Sequence, residues 1–145
     1  MNIGNAPVLT YPSGFFYGAI TNEIGGASIY LLISQSHFFC IKMGCGLDTN
    51  TIAELLALWA LLHISKEIGI PTLHVCGDSY VIINWSNDKA TLTTLILDAR
   101  CDNIEGLKAC FHALDFHHVY REHNEEAHSL SKEALPMASN LLSFT

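Results

Sequence analysis

Residues 51–68 read TIAELLALWALLHISKEI, a run with neither glycine nor proline and with apolar side chains at twelve of its eighteen positions. An amphipathic surface helix would show one apolar stripe. This segment is apolar nearly all round, which marks a helix packed on more than one side, the central helix of a layered domain. Gly69 directly after it supplies a stop and Pro71 opens the next element. Upstream lie three β-rich runs: FFYGAIT (15–21), ASIYLLIS (27–34) after a Gly25-Gly26 turn, and HFFCIKMG (37–44) after the polar Ser34-Gln35-Ser36. They read as an antiparallel meander. Downstream, TLHVCGD (72–78) reads as a short buried strand and SYVIINW (79–85) as a short helix ending in Ser86-Asn87-Asp88. Residues 95–113 suit another helix, FHHVYRE (116–122) a further strand, and 124–135 a last helix. The order βββ-α-β-α-α-β-α predicts an α/β fold, a mixed five-stranded sheet with helices on both faces.

The chain has 145 residues, half of them hydrophobic and 14% charged, enough for one domain with a substantial core. Neither a repeat nor a linker divides it, so the expected organisation is an N-terminal tail (1–13), one domain (14–135) and a C-terminal tail (136–145). Fourteen acidic against seven basic residues leave a net charge of −7, which disfavours tight, non-specific gripping of a phosphate backbone. The five cysteines (40, 45, 76, 101 and 110) are scattered without a C-x-x-C pair, which fits a reduced intracellular setting, cytoplasmic or nuclear. The opening residues lack a basic segment followed by an apolar run, and the most apolar stretch is too short to span a bilayer. Secretion and membrane insertion are not expected.

Three positions stand out chemically. Glu54 is the one acidic residue in the apolar part of the central helix, among Leu, Ala, Ile and Trp and well away from Glu67 at its end, so its charge needs a partner, a metal or an opening to water. Asp78 follows a buried strand at its carboxyl end, where α/β folds place ligand sites, although an N-cap for the next helix would also explain it. His128 sits beside the apolar stripe Ala127, Leu130, Ala134 and Leu135 of a helix capped by Asn124; a satisfied, partly buried histidine is the plain alternative.

Taken in order, DTNTIAELLALWALL, GDSYVIINW and VYREHNEEAHSLSKEAL resemble the ribonuclease H type 1 fold, in particular the reverse-transcriptase-associated ribonuclease H-like domains of plant retroelements. The resemblance covers about 14–135. In that family four carboxylates hold two magnesium ions, or manganese in their place, that cut the RNA strand of an RNA–DNA hybrid. Glu54 and Asp78 match two of them. The first family carboxylate precedes a glycine in the opening strand, where this chain has Tyr17 before Gly18; the fourth falls at His128. A neutral tyrosine can neither bridge two cations nor balance their charge, and histidine suits a transition metal better than magnesium. The resemblance further implies hybrid contacts from Asn22, Thr49 and Asn50.

These residues lead to an expected degenerate ribonuclease H-like domain, catalytically impaired, that binds no cofactor, or magnesium weakly at Glu54 and Asp78, and is retained for weak RNA or hybrid binding or for a protein partner. Tyr17 and His128 then close the former metal cage, protonated His128 pairing with Asp78 and the Tyr17 hydroxyl bonding Asp78 or Glu54. Residual nuclease activity with another metal, held by His128, Asp78, Glu54 and His123, and a purely protein-binding module remain as alternatives. The His117-His118 pair reads as ordinary strand histidines.

Overall fold

The computed structural model describes residues 12–21, 24–34, 37–46, 50–90, 95–120 and 142–144. Strands β1 (Ser13–Thr21), β2 (Ile24–Ser34) and β3 (His37–Gly46) form the antiparallel meander. Helix α1 (Asn50–Ile68) crosses over to β4 (Thr72–Gly77), which pairs parallel to β1. Helices α2 (Tyr80–Ser86) and α3 (Leu95–Lys108) lead to β5 (Ala113–His118), parallel to β4. The expected five strands are present in the order β3-β2-β1-β4-β5. A sixth, β6 (Leu142–Phe144), adds antiparallel to β3 from the stretch expected to be a tail.

Strand alternation divides the side chains between two faces. Phe16, Ala27, Ile29, Leu31, Ile41, Met43, Leu73, Val75 and Phe116 form one core with α1, α2 and α3. Phe15, Tyr17, Cys76 and Val119 form a smaller cluster on the opposite face. The all-round apolar character of α1 follows from this placement: it packs on β1 and β2 on one side and α3 on another. The last expected helix, 124–135, lies outside the described residues.

Two glycines show how α1 is seated. At Gly69, φ is +94°, and the Gly69 amide donates to Lys66 O at 3.0 Å while the Ile70 amide donates to Ser65 O at 3.0 Å. This is the pattern of a Schellman stop, and a left-handed residue is what it requires. At Gly18 a Cβ would overlap the backbone of Ala53 and Glu54, meeting the Ala53 carbonyl oxygen at 2.8 Å. Only glycine lets β1 lie this close to α1.

One turn assignment needs correction. Gly25 and Gly26 lie inside β2, paired with Ile20 and Ala19 on one side and with Gly46 and Gly44 on the other, with a register shift between them. A glycine pair marks a bulge in a strand as readily as a turn, and the local residue pattern does not separate the two.

Candidate functional site

The last parallel pair between β1 and β4 is Phe16 with Gly77. One step further along each strand stand Tyr17 and Asp78, so the two positions are neighbours at the carboxyl end of the sheet. The close approach of Gly18 to Ala53 and Glu54 brings the beginning of α1 to the same corner. Backbone pairing and a missing Cβ therefore gather Tyr17, Glu54 and Asp78, which are far apart in the chain.

Asp78 is half-buried, and its Oδ2 oxygen is shielded from solvent. It does not cap α2. Ser79 occupies the cap position with an extended backbone, and its hydroxyl accepts from the Ile82 amide at 3.4 Å. The capping explanation considered for Asp78 is thereby replaced: the helix begins one residue later than that explanation assumed. Glu54 is half-buried on α1.

Tyr17 is 4% exposed and packs in the cluster with Phe15, Cys76 and Val119, flanked by Tyr30 and Leu32. The same burial pushes the Cys76 thiol up to about 12. An aromatic ring in an apolar cluster thus stands at the sheet corner next to Asp78. Among the described residues no third His, Cys, Asp or Glu joins Glu54 and Asp78 in a metal-binding group. Taken alone, the two carboxylates and buried phenol among the described residues fall short of the charge compensation and near-octahedral oxygen ligands that a pair of magnesium ions requires.

Asn22, Thr49, His123 and His128 lie outside the described residues, as does the side chain of Asn50, whose backbone begins α1. Of the expected set, Tyr17, Glu54 and Asp78 lie among the described residues, with their backbone positions at one corner of the sheet.

It also reveals a row of rings beside Asp78 that sequence reasoning missed. The Tyr80 and His118 rings are 5.0 Å apart and those of His118 and Tyr120 5.8 Å, with Tyr80 64% and Tyr120 47% exposed. The Val119 amide donates to Gly77 O at 2.9 Å, which ties this row to the strand end that carries Asp78. The aromatic residues are visible in the sequence, but only the tertiary packing of α2 against β5 makes them one surface. Exposed ring faces of this kind can stack on nucleobases. One nearby cation has a structural use: Lys108 Nζ donates to Ser86 O at 2.9 Å, pairs with Glu105 at 3.2 Å, and lies over the Trp85 and Phe116 rings.

The profile of a family described as reverse transcriptase-like matches residues 16–134. Among solved structures, ribonuclease H1 from the halophilic archaeon Halobacterium salinarum is similar with a TM-score of 0.81 and 23% identity, over 89% of this chain and 100% of that one. LC11 ribonuclease H1, in complex with an RNA/DNA hybrid, gives 0.79 and 20% over 86% and 96%. The prototype foamy virus protease–reverse transcriptase gives 0.66 and 16%, over 96% of this chain and 23% of the viral one. At these identities the structural likeness establishes the ribonuclease H-like fold. Comparison with curated proteins found no significant match.

Proposed function

We propose, from the premise that the chain belongs to the reverse transcriptase-like family, that it is a catalytically impaired ribonuclease H-like domain of retroelement origin, retained to bind RNA or RNA–DNA hybrid weakly. The observation that carries this reading is Tyr17, a buried ring at the β1 position beside Asp78 and Glu54. Cleavage by two metals needs ligands that place both ions on the scissile phosphate, and a phenol that stays neutral near pH 7 does not supply the bridge. His128 at the fourth carboxylate position removes a second anionic ligand. In this reading Tyr17 and a protonated His128 satisfy Asp78 and Glu54 in place of cations.

Nucleic-acid binding is preferred to a purely protein-binding role because of the Tyr80-His118-Tyr120 row beside the degenerate corner. Stacking works without a basic patch, which matters in a chain of net charge −7. The hybrid-bound relative with the same fold supports this direction. Asn22, Thr49 and Asn50 complete the proposed interface. We take 14–135 as the functional unit with β6 extending its edge, and an intracellular setting, which five scattered cysteines without a C-x-x-C pair favour. Among the described residues no helix is long and apolar enough to cross a membrane.

The test is an RNA–DNA hybrid cleavage assay with magnesium and with manganese, run beside a binding titration at several salt concentrations. Salt-sensitive binding without cleavage is the expected outcome. Sustained turnover abolished by Glu54→Gln would overturn the impaired-nuclease reading, and absence of any binding would leave the protein-binding alternative.

A further inference from the structure

On the sheet face opposite α1, β4 and β5 place a second polar cluster away from the Asp78 corner. Their register sets His74 beside Asp115 and Cys76 beside His117. Asp115 and His117 are two residues apart on one strand, so both project to the face that carries His74. The His74 Nδ1 and Asp115 Oδ2 atoms are 3.0 Å apart, and the His74 and His117 rings face one another at 6.3 Å and 29°. One ligand atom from each of the three residues lies within 4.8 Å of the others.

A weakly stabilising, solvent-screened histidine–aspartate pair would account for two of these residues. It leaves His117 unexplained. We propose that His74, Asp115 and His117 form a binding site for a divalent transition-metal ion of the zinc type, with its remaining position open to water. Two imidazole nitrogens and one carboxylate are a zinc ligand set, and the nitrogen content selects against magnesium and calcium. Ligands at about 2.0–2.1 Å from a tetrahedral zinc stand roughly 3.3 Å from one another. The His74–Asp115 separation already matches that spacing, and small side-chain rotations bring in His117. The half-buried His74 gives the cluster one fixed wall, while exposed Asp115 and His117 leave a path for the ion. Bound there, the ion links edge strand β5 to β4.

The site is separate from the proposed nucleic-acid function. His74 precedes Asp78 by four residues of nearly extended chain, roughly 13 Å at about 3.3 Å per residue. The histidines are visible in the sequence as an unremarkable His74 and a His117-His118 pair. The register is what separates His117, beside His74, from His118, in the aromatic row.

The experiment titrates chelator-treated, full-length protein with zinc ions alone by calorimetry, and with cobalt(II) to record the visible spectrum of the bound ion. The expected result is one ion per chain, a cobalt spectrum with nitrogen–oxygen character, and a Tm raised by about 5–10 °C with zinc at a hundredfold excess over Kd. His117→Ala and Asp115→Asn should each lower the affinity at least tenfold. Because both side chains are exposed, these variants should fold, and a far-ultraviolet spectrum confirms it. Asp78→Asn should bind zinc as the parent does. Absence of binding by the parent, equal binding by His117→Ala, or loss of binding in Asp78→Asn would each overturn the proposal. None of these results depends on whether hybrid is cut, so failure here and failure of the nucleic-acid reading are distinguishable.

Discussion

Replacing Tyr17 and His128 together by aspartate is the sharpest perturbation of the candidate site, because it separates lost ligands from a lost scaffold. Tyr17 is 4% exposed and touches Phe15, Cys76 and Val119. Removing an aromatic ring from such a cluster costs about 3–5 kcal/mol, and in the absence of metal the added carboxylates repel those of Glu54 and Asp78. A domain of this size has only about 5–15 kcal/mol of stability, so the metal-free double variant should be folded but markedly weakened. Magnesium at a hundredfold excess over its Kd returns about 2.7 kcal/mol by linkage. Its Tm should therefore rise with magnesium yet stay below that of the parent. Some hybrid cleavage should appear under the same conditions. Tyr17→Asp alone leaves His128 in a ligand position, and His128→Asp alone leaves the ring in place of the bridge; neither should gain activity. The assays are thermal unfolding against magnesium concentration and hybrid cleavage in parallel, for the parent, both single variants and the double. A folded double variant with no magnesium-dependent stabilisation and no cleavage would refute the idea that an intact ancestral frame underlies Tyr17 and His128.

Tyr80→Ala should weaken hybrid or single-stranded RNA binding by about 1–3 kcal/mol per base it stacks on, while the slope of log affinity against log salt stays unchanged, since tyrosine releases no counterion; fluorescence anisotropy at several salt concentrations checks both. Gly18→Ala should destabilise the fold by roughly 1–3 kcal/mol in urea unfolding, because the added methyl meets backbone of α1, and more than Gly14→Ala, where the methyl meets the end of the Leu61 side chain. The Cys76 thiol, raised to about 12 by burial from a usual 9.0, holds its proton in the folded state after the unfolded chain has lost it. Its contribution to stability is complete below pH 9 and is lost between there and about 12, with a slope approaching 1.4 kcal/mol per pH unit. Urea midpoints from pH 8 to 10.5 should fall less steeply in Cys76→Ala than in the parent, and iodoacetamide at pH 8.5 should modify exposed Cys110 well before Cys76.

The sequence by itself determined the order of the elements from β1 to β5 and the central position of α1, because these depend on local periodicity and on motifs read in chain order. The apolar run 51–68 is a helix packed on two sides wherever the chain is read, and Gly69 stops it through its own backbone freedom. Tyr17 before Gly18 is likewise a local fact. Pairing between distant strands is not. The glycines at 25 and 26 could have been a turn, and they became a bulge because Ile20 and Gly46 lie on either side of Gly25. β6 formed in a stretch without a strong strand pattern because the edge of β3 offered it hydrogen-bonding partners. Only the register of β4 against β5 turned His74, Asp115 and His117 into one cluster, and only the packing of α2 against β5 brought Tyr80 next to His118. A register shift of one residue reverses the face of every side chain in a strand, so residue identity alone cannot specify which strand histidines meet.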